Sequence, residues 1–136
     1  MNQRFEWSLL LIRVVAGITF LIHGIAKFQM GLENVAGFFG SLSLPAFLAY
    51  LVTLLETIGG IALILGFGTR IFSALLGIVM IGAIFTAKLS IGFLGDGTGA
   101  GYELDLALLV MLLALVISGN SLYSVDSALS NNKSAS

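Results

Sequence analysis

Seven ionisable residues lie inside or at the ends of four long apolar stretches, and their types could carry proton chemistry or hold a polar ligand. One charged residue at the centre of a membrane helix costs about 2.5–3.5 kcal/mol. Such residues are retained where they pair with one another or line a wet or ligand-filled site. The sequence therefore predicts a polar centre within a membrane protein. The seven residues are Arg13, His23 and Lys27 in the first stretch, Glu56 in the second, Lys88 at the end of the third, and Glu103 and Asp105 at the start of the fourth.

The composition agrees with this prediction and limits the partners and redox groups that the chain can bind. The 136 residues are 58% hydrophobic and 10% charged, whereas soluble domains carry about 25% charged residues. A net charge of −1 without a basic run gives no reason to expect nucleic acid as a partner. Because cysteine is absent and His23 is the only histidine, disulfides, a protein-ligated iron–sulfur cluster and bis-histidine haem are excluded. A redox role would need a non-covalent cofactor, a diffusible substrate such as a quinone, or a partner subunit.

The apolar stretches predict an all-α fold, a bundle of four transmembrane helices over about 7–28, 45–65, 70–89 and 102–118. We expect one membrane domain, residues 1–119, followed by a polar, partly disordered tail at 120–136. Arg4, Arg70 and Lys133 on one side outnumber Lys27 and Lys88 on the other. This bias favours a multi-pass protein of the cell membrane, surrounded by lipid, with both termini in the cytoplasm.

The segment between the first two spans has two interpretations. Its apolar residues follow the i, i+3, i+4, i+7 spacing of one helix face. A short helix lying in the membrane interface fits this pattern, and so does a partly buried loop. The residues are Leu32, Val35, Ala36 and Phe39.

Helical geometry predicts which charges point inward. Arg13, Glu56 and Glu103 each share a helix face with small residues, which mark close packing between membrane helices. Asp105 lies about 200° from Glu103 around the same helix, so we expect it at the outer interface or against another subunit. Measured from the predicted helix ends, Arg13 and Glu56 differ in depth by no more than an arginine side chain spans. We therefore predict an Arg13–Glu56 pair near the bilayer centre.

A second polar cluster is expected near the outer face, formed by Lys27, Glu103 and His23, with or without Lys88. The functional interpretation of these charges competes with a structural one, in which a buried pair only fixes helix register. His23 could be a satisfied core histidine or a proton donor to a bound carbonyl. Lys88 alone is typical of an interface anchor.

Aromatic residues near these charges also have two interpretations. Phe20, Phe28, Phe85 and Tyr102 could stack on an aromatic ligand, although apolar packing is the commoner role of such rings.

With these residues placed, the chain resembles the DoxX family of small four-helix membrane proteins, and its CatD-type members in length and detail. The resemblance covers nearly the whole chain, and it rests on the order and spacing of several short elements. These are Arg13 with Gly17, Phe20, Gly24 and Lys27; Pro45; Glu56-Thr57-Ile58-Gly59-Gly60; Arg70; Gly101-Tyr102-Glu103-Leu104; and Tyr123-Ser124-Val125-Asp126.

The resemblance implies quinone-linked redox work, alone or within a membrane oxidoreductase complex, and a role in detoxification or in defence against oxidative and aromatic-compound stress. The leading hypothesis is a membrane oxidoreductase component, as a homo-oligomer or with a soluble redox partner, that binds a quinone-like or small phenolic molecule near the outer half. Two alternatives stay open: a carrier of a small solute or of protons, and a non-catalytic scaffold that docks a soluble enzyme. The candidate catalytic residues are Glu56, Glu103 and His23, and the candidate substrate-binding residues are Arg13, Lys27, Tyr102, Phe20 and Phe85.

Overall fold

A computed structural model of the chain describes residues 3–97, 101–119 and 124–129. This part of the chain forms five α-helices, one π-helical turn that continues the fourth helix, and a short helical segment at 125–129. The elements are α1 (Gln3–Met30), α2 (Leu32–Ser41), α3 (Ala46–Leu65), α4 (Thr69–Ala83), the π turn (Ile84–Lys88) and α5 (Glu103–Ser118).

The four long helices close into a ring, in which α1 packs on α3, α3 on α4, α4 on α5, and α5 on α1. The predicted all-α membrane fold is confirmed. Three helical stretches, Gln3–Met30, Ala46–Leu65 and Thr69–Lys88, are long and apolar enough to cross a membrane. At 1.5 Å per residue, the 16 residues of α5 extend about 24 Å, less than the hydrocarbon core of about 30 Å. The fourth predicted span is thus a helix of the bundle, and its full crossing of the bilayer stays a prediction.

Glycines bring the backbones of α1 and α3 into direct contact. A Cβ atom placed on Gly60 would lie 2.6 Å from the Leu21 nitrogen and 2.7 Å from the Gly17 oxygen. A Cβ atom on Gly24 would lie 2.9 Å from the Thr57 nitrogen. Only glycine permits such an approach, which membrane helices use because lipid gives them no hydrophobic reason to associate. The small-residue stripes predicted on these two helices are confirmed, and their contacts fix the register of α1 against α3.

Helix α5 packs through leucines instead. Ala107 and Val110, which belong to the stripe predicted to face inward, are exposed. The small residue at this contact comes from α4, where a Cβ atom on Gly77 would lie 3.7 Å from the Leu109 side chain. Close packing needs a small residue on only one of two partner helices. The line of small residues on α5 therefore did not indicate which face of that helix packs. The buried residues of α5 are Asp105, Leu108, Leu112 and Leu115.

The segment between the first two spans is a helix, α2, and not a loop, while its position in the membrane interface stays a prediction. It packs against α3 and α1 and buries Val35. Gly31 precedes it with a φ angle of +94°, a conformation that glycine adopts without strain.

The C-terminal segment 124–129 folds back onto the loop between α3 and α4. The Asp126 N–H donates to the Gly66 oxygen at 3.1 Å, and the Gly68 N–H donates to Asp126 Oδ2 at 2.7 Å. A carboxylate at the start of a helix satisfies a backbone donor and interacts well with the helix dipole. Part of the predicted polar tail is therefore docked, while the disorder predicted beyond Leu129 lies outside the described residues.

The glycine contacts generate a paired prediction. Gly60→Ala should lower the thermal unfolding temperature of the purified protein in detergent, with a loss of about 1–3 kcal/mol from overpacking against the α1 backbone. Gly82→Ala is the matched control, because a Cβ atom there meets nothing within 4 Å. It should leave stability unchanged or raise it by about 0.5–1 kcal/mol through helix propensity. Equal effects of the two substitutions would contradict the close contact.

Candidate functional site

A lysine and a glutamate form an ion pair between α1 and α3. Lys27 Nζ donates to Glu56 Oε1. The Glu56 side chain is 2% exposed and the Lys27 side chain 25%, so the lysine lies between the buried carboxylate and the surface. The glycine contact at Gly24 produces this pairing, because it sets Thr57, and with it the neighbouring Glu56, beside the last turns of α1.

The predicted Arg13–Glu56 pair is wrong. The prediction assumed that the outer ends of the first two spans lie at the same height. The contact between Gly24 and Thr57 instead places Glu56 near the C-terminal end of α1. Arg13 lies fourteen residues before Lys27 in the same helix, which is about 21 Å along the axis. No arginine side chain spans that distance.

Arg13 instead holds the opposite end of the bundle, where the α3–α4 loop meets segment 124–129; we call this the tail end. Its side chain is 2% exposed and its Nη1 would lie 2.8 Å from a Cβ atom on Gly66. Asp126 supplies the negative charge that acts on it. Arg13 thus faces Asp126 in place of Glu56, and its predicted role in substrate binding stays a prediction.

A second ion pair joins the π turn to α5. Lys88 Nζ lies 3.1 Å from Asp105 Oδ2, and the Asp105 side chain is 6% exposed. The prediction that Asp105 faces the outer interface and Glu103 the interior is wrong, since Glu103 is exposed. Asp105 shares the leucine face of α5, which is the face that packs. Lys88 is likewise more than an interface anchor.

Two backbone features position this second pair. The π turn Ile84–Lys88 ends in the hydrogen bond from the Leu89 N–H to the Ile84 oxygen at 2.7 Å, and such turns recur at functional sites. The Tyr102 N–H donates to the Gly92 oxygen at 3.2 Å, which closes the glycine-rich loop at its base. Both features fix the level at which α4 ends and α5 begins.

Both ion pairs lie toward the end of the ring where α1 and the π turn finish and α5 starts; we call this the Lys27 end. Of the predicted outer cluster, Lys27 and Lys88 are there, each with a buried carboxylate, and Glu103 is on the outside. His23 is half-buried one helical turn before Lys27, on the same side of α1. Within the described residues its imidazole has no hydrogen-bond partner.

The predicted aromatic residues are not brought together. Phe20 is fully buried in the apolar core, and Phe85 is 69% exposed on the outside of the bundle. Tyr102 is half-buried at the Lys27 end, with its ring edge-to-face against Phe93 at a centroid distance of 5.5 Å. The Phe93–Tyr102 pair forms an aromatic surface at this end, where Phe28, next to Lys27, is also 43% exposed.

The Glu56 carboxylate keeps one oxygen without a partner. Within the described residues, Glu56 Oε2 is buried and accepts no hydrogen bond. Leaving a buried acceptor unpaired costs about 1–3 kcal/mol, and more for a charged group. Such an oxygen can be satisfied by a ligand donor or by a proton, so the Lys27–Glu56 pair is suited to hold, accept or release a proton.

Comparison with known proteins identifies the family. The family model for DoxX matches residues 8–89, a range that includes Lys27, Glu56 and Lys88. The chain belongs to the DoxX family. It is 41% identical to "Putative oxidoreductase CatD" of Bacillus subtilis, over 93% of this chain and 90% of that protein. It is 35% identical to "Uncharacterized membrane protein Rv3486" of Mycobacterium tuberculosis, over 94% of this chain and 85% of that protein. No solved structure matches significantly.

Two acidic residues of this DoxX protein were not predicted correctly: the docking of Asp126 was missed, and Asp105 was placed on the wrong face of α5. Asp126 appeared only as part of the Tyr123–Asp126 element, within a segment read as a polar tail. Asp105 could have been found from the leucines at i+3, i+7 and i+10, because that spacing continues one helix face.

The ion pair between α1 and α3 generates a double-mutant prediction. Lys27→Met should lower the free energy of unfolding in detergent by about 1–3 kcal/mol, because it leaves a buried carboxylate unpaired. The double variant Lys27→Met/Glu56→Gln should recover most of that loss, because no buried charge remains. If the losses of stability caused by Lys27→Met and by Glu56→Gln simply add in the double variant, the pairing is contradicted. Arg4→Met, which removes an exposed cation, is the control.

Proposed function

We propose that this DoxX protein is a component of a membrane oxidoreductase that binds a quinone or a small phenolic molecule at the Lys27 end, with Glu56 as the proton-exchanging group. The observation that carries the proposal is the buried Glu56 carboxylate, which is held through one oxygen by Lys27 and keeps the other without a partner. An ionisable group inside a membrane is a candidate functional residue by default.

The redox part of the proposal is supported by the name of a relative, "Putative oxidoreductase CatD", and by the amino-acid composition of this chain. A chain without cysteine and with one histidine does not itself hold an iron–sulfur cluster or bis-histidine haem. A quinone, which diffuses to the protein and carries two electrons, needs neither of these protein-bound groups. Reduction of a quinone to a quinol takes up two electrons and two protons; the electrons would come from a redox partner protein and the protons through side chains of this chain.

The residues at the Lys27 end have chemistry that suits such a ligand. Glu56 would pass a proton to a quinone oxygen, and Lys27 would orient the carboxylate. His23 and the Tyr102 hydroxyl, both half-buried, are donors of the right kind for the two quinone carbonyls. The Phe93–Tyr102 pair offers a ring surface, in place of the exposed Phe85.

The second pair, Lys88–Asp105, extends the proposal to a proton path. Proton transfer through a membrane protein proceeds along ionisable side chains that face the bundle interior. Asp105 lies in the first turn of α5, closer to the end of its helix than Glu56 is to the start of α3. Asp105 would exchange protons with the aqueous side. A quinone or phenolic substrate would give the protein a role in detoxification or in defence against oxidative and aromatic-compound stress.

Quinone binding to the purified protein tests the proposal. Glu56→Gln keeps the shape of the side chain and removes its ability to ionise. In membranes isolated from cells that produce the protein together with its redox partner, it should reduce the rate of quinone reduction about 100-fold or more, in line with loss of a general acid–base group. Glu33→Gln, which makes the same chemical change on the exposed face of α2, should have no effect.

Equal turnover of the two variants, or absence of quinone binding by the unmodified protein, would contradict the proposal. Proton flux into liposomes without added quinone, lost in Glu56→Gln and kept in Glu33→Gln, would favour the carrier alternative.

A further inference from the structure

Two open spaces follow each other along the seam between α4 and α5, away from the Lys27 end. A pocket of about 560 Å³ opens at the tail end, and polar side chains, including Thr69, Arg70 and Ser118, lie among its otherwise apolar lining. An apolar groove of about 240 Å³ continues along the same two helices. Because each helix supplies consecutive turns to both spaces, the groove runs from the pocket toward the middle of the bundle. Ser73, Gly77, Ile81, Leu112 and Val116 line it.

The pocket has an uncompensated positive charge. Arg70 is exposed, and its Nη2 donates to the Ile117 oxygen at 3.2 Å. No carboxylate of the described residues pairs with it. The one acid that lines the pocket, Asp126, is engaged by the Gly68 N–H and faces the charge of Arg13. A guanidinium in this setting is suited to a phosphate group.

Two buried hydroxyl groups along the seam lack partners. Thr69 lines the pocket and Ser73 lines the groove, and both side chains are fully buried. Within the described residues, neither Thr69 Oγ1 nor Ser73 Oγ has a hydrogen-bond partner. A hydroxyl inside a helix, as at Ser73, can bond a carbonyl one turn back, as Thr53 does to the Ala49 oxygen at 2.7 Å, whereas Thr69 begins α4 and has no turn before it. These two are therefore available to polar atoms of a ligand that enters the seam.

We infer that the seam binds a phospholipid with an anionic head, its phosphate in the Arg70 pocket and one acyl chain in the groove. The pocket lies where α4 begins, so its guanidinium is at the level at which phospholipid head groups meet the hydrocarbon. The groove then receives the chain: Gly77 leaves it open, and the Ser73 hydroxyl lies where it can meet the ester oxygen nearest the head. The site is at the opposite end of the bundle from Glu56 and does not depend on the proposed function.

Native mass spectrometry of the detergent-solubilised protein tests this inference with three probes: phosphatidylglycerol, phosphatidylcholine and inorganic phosphate. Phosphatidylglycerol should be retained in preference to phosphatidylcholine, and inorganic phosphate should not displace it, because it lacks a chain. Arg70→Gln should weaken phosphatidylglycerol binding about tenfold, as expected for loss of a charge-assisted hydrogen bond. Arg4→Gln removes an exposed charge of the same kind from α1 and should change nothing.

A second variant tests the groove. Gly77→Leu fills it while Arg70 remains, and it too should weaken phosphatidylglycerol binding. Equal retention of the two lipids by the unmodified protein would overturn the assignment of the head group, and that comparison requires no variant to fold. Displacement by inorganic phosphate would show a free-anion site and overturn the lipid assignment. Unchanged binding in folded Arg70→Gln or Gly77→Leu, checked by thermal unfolding, would overturn the pocket or the groove.

Discussion

A carboxylate buried among apolar helices must be compensated, and this constraint organises the bundle. Glu56 is 2% exposed, and its compensation is the Lys27 ammonium from the neighbouring helix. The pair exists because Gly17, Gly24 and Gly60 let the backbones of α1 and α3 touch, which sets the register of one helix against the other. Small residues and ionisable residues are therefore parts of one arrangement. The small residues bring the helices close and set their register, and this register places the two opposite charges beside each other.

The same constraint recurs at the other contacts of the ring. Lys88 and Asp105 connect the π turn with α5, and Asp126 faces Arg13 while it caps the start of α4. Each acid draws its partner from a different element, so charge compensation ties together helices that have no hydrophobic reason to associate in lipid. The two ends differ in character. At the tail end the charges dock a segment of the chain, whereas at the Lys27 end a buried carboxylate oxygen stays available.

The sequence predicted the fold class and the glycine contacts because both depend on local patterns, namely the length of apolar runs and the spacing of small residues. It did not predict which charged residues pair with one another. Pairing Arg13 with Glu56 required the relative heights of two helices, and the helix ends are not level. Choosing Glu103 over Asp105 required knowing that α4, and not α5, supplies the small residues at their contact. The docking of Asp126 is a contact between segments far apart in the chain, and no local pattern signals it.

The most direct test of this account is a solid-state NMR distance measurement in lipid bilayers, between the lysine Nζ at position 27 and the glutamate Cδ at position 56. The signals would be assigned through Lys27→Arg and Glu56→Gln. The account predicts a strong dipolar coupling that corresponds to a separation of about 4 Å. A coupling of the Glu56 carboxyl carbon to the guanidinium at position 13, with none to Lys27, would contradict it.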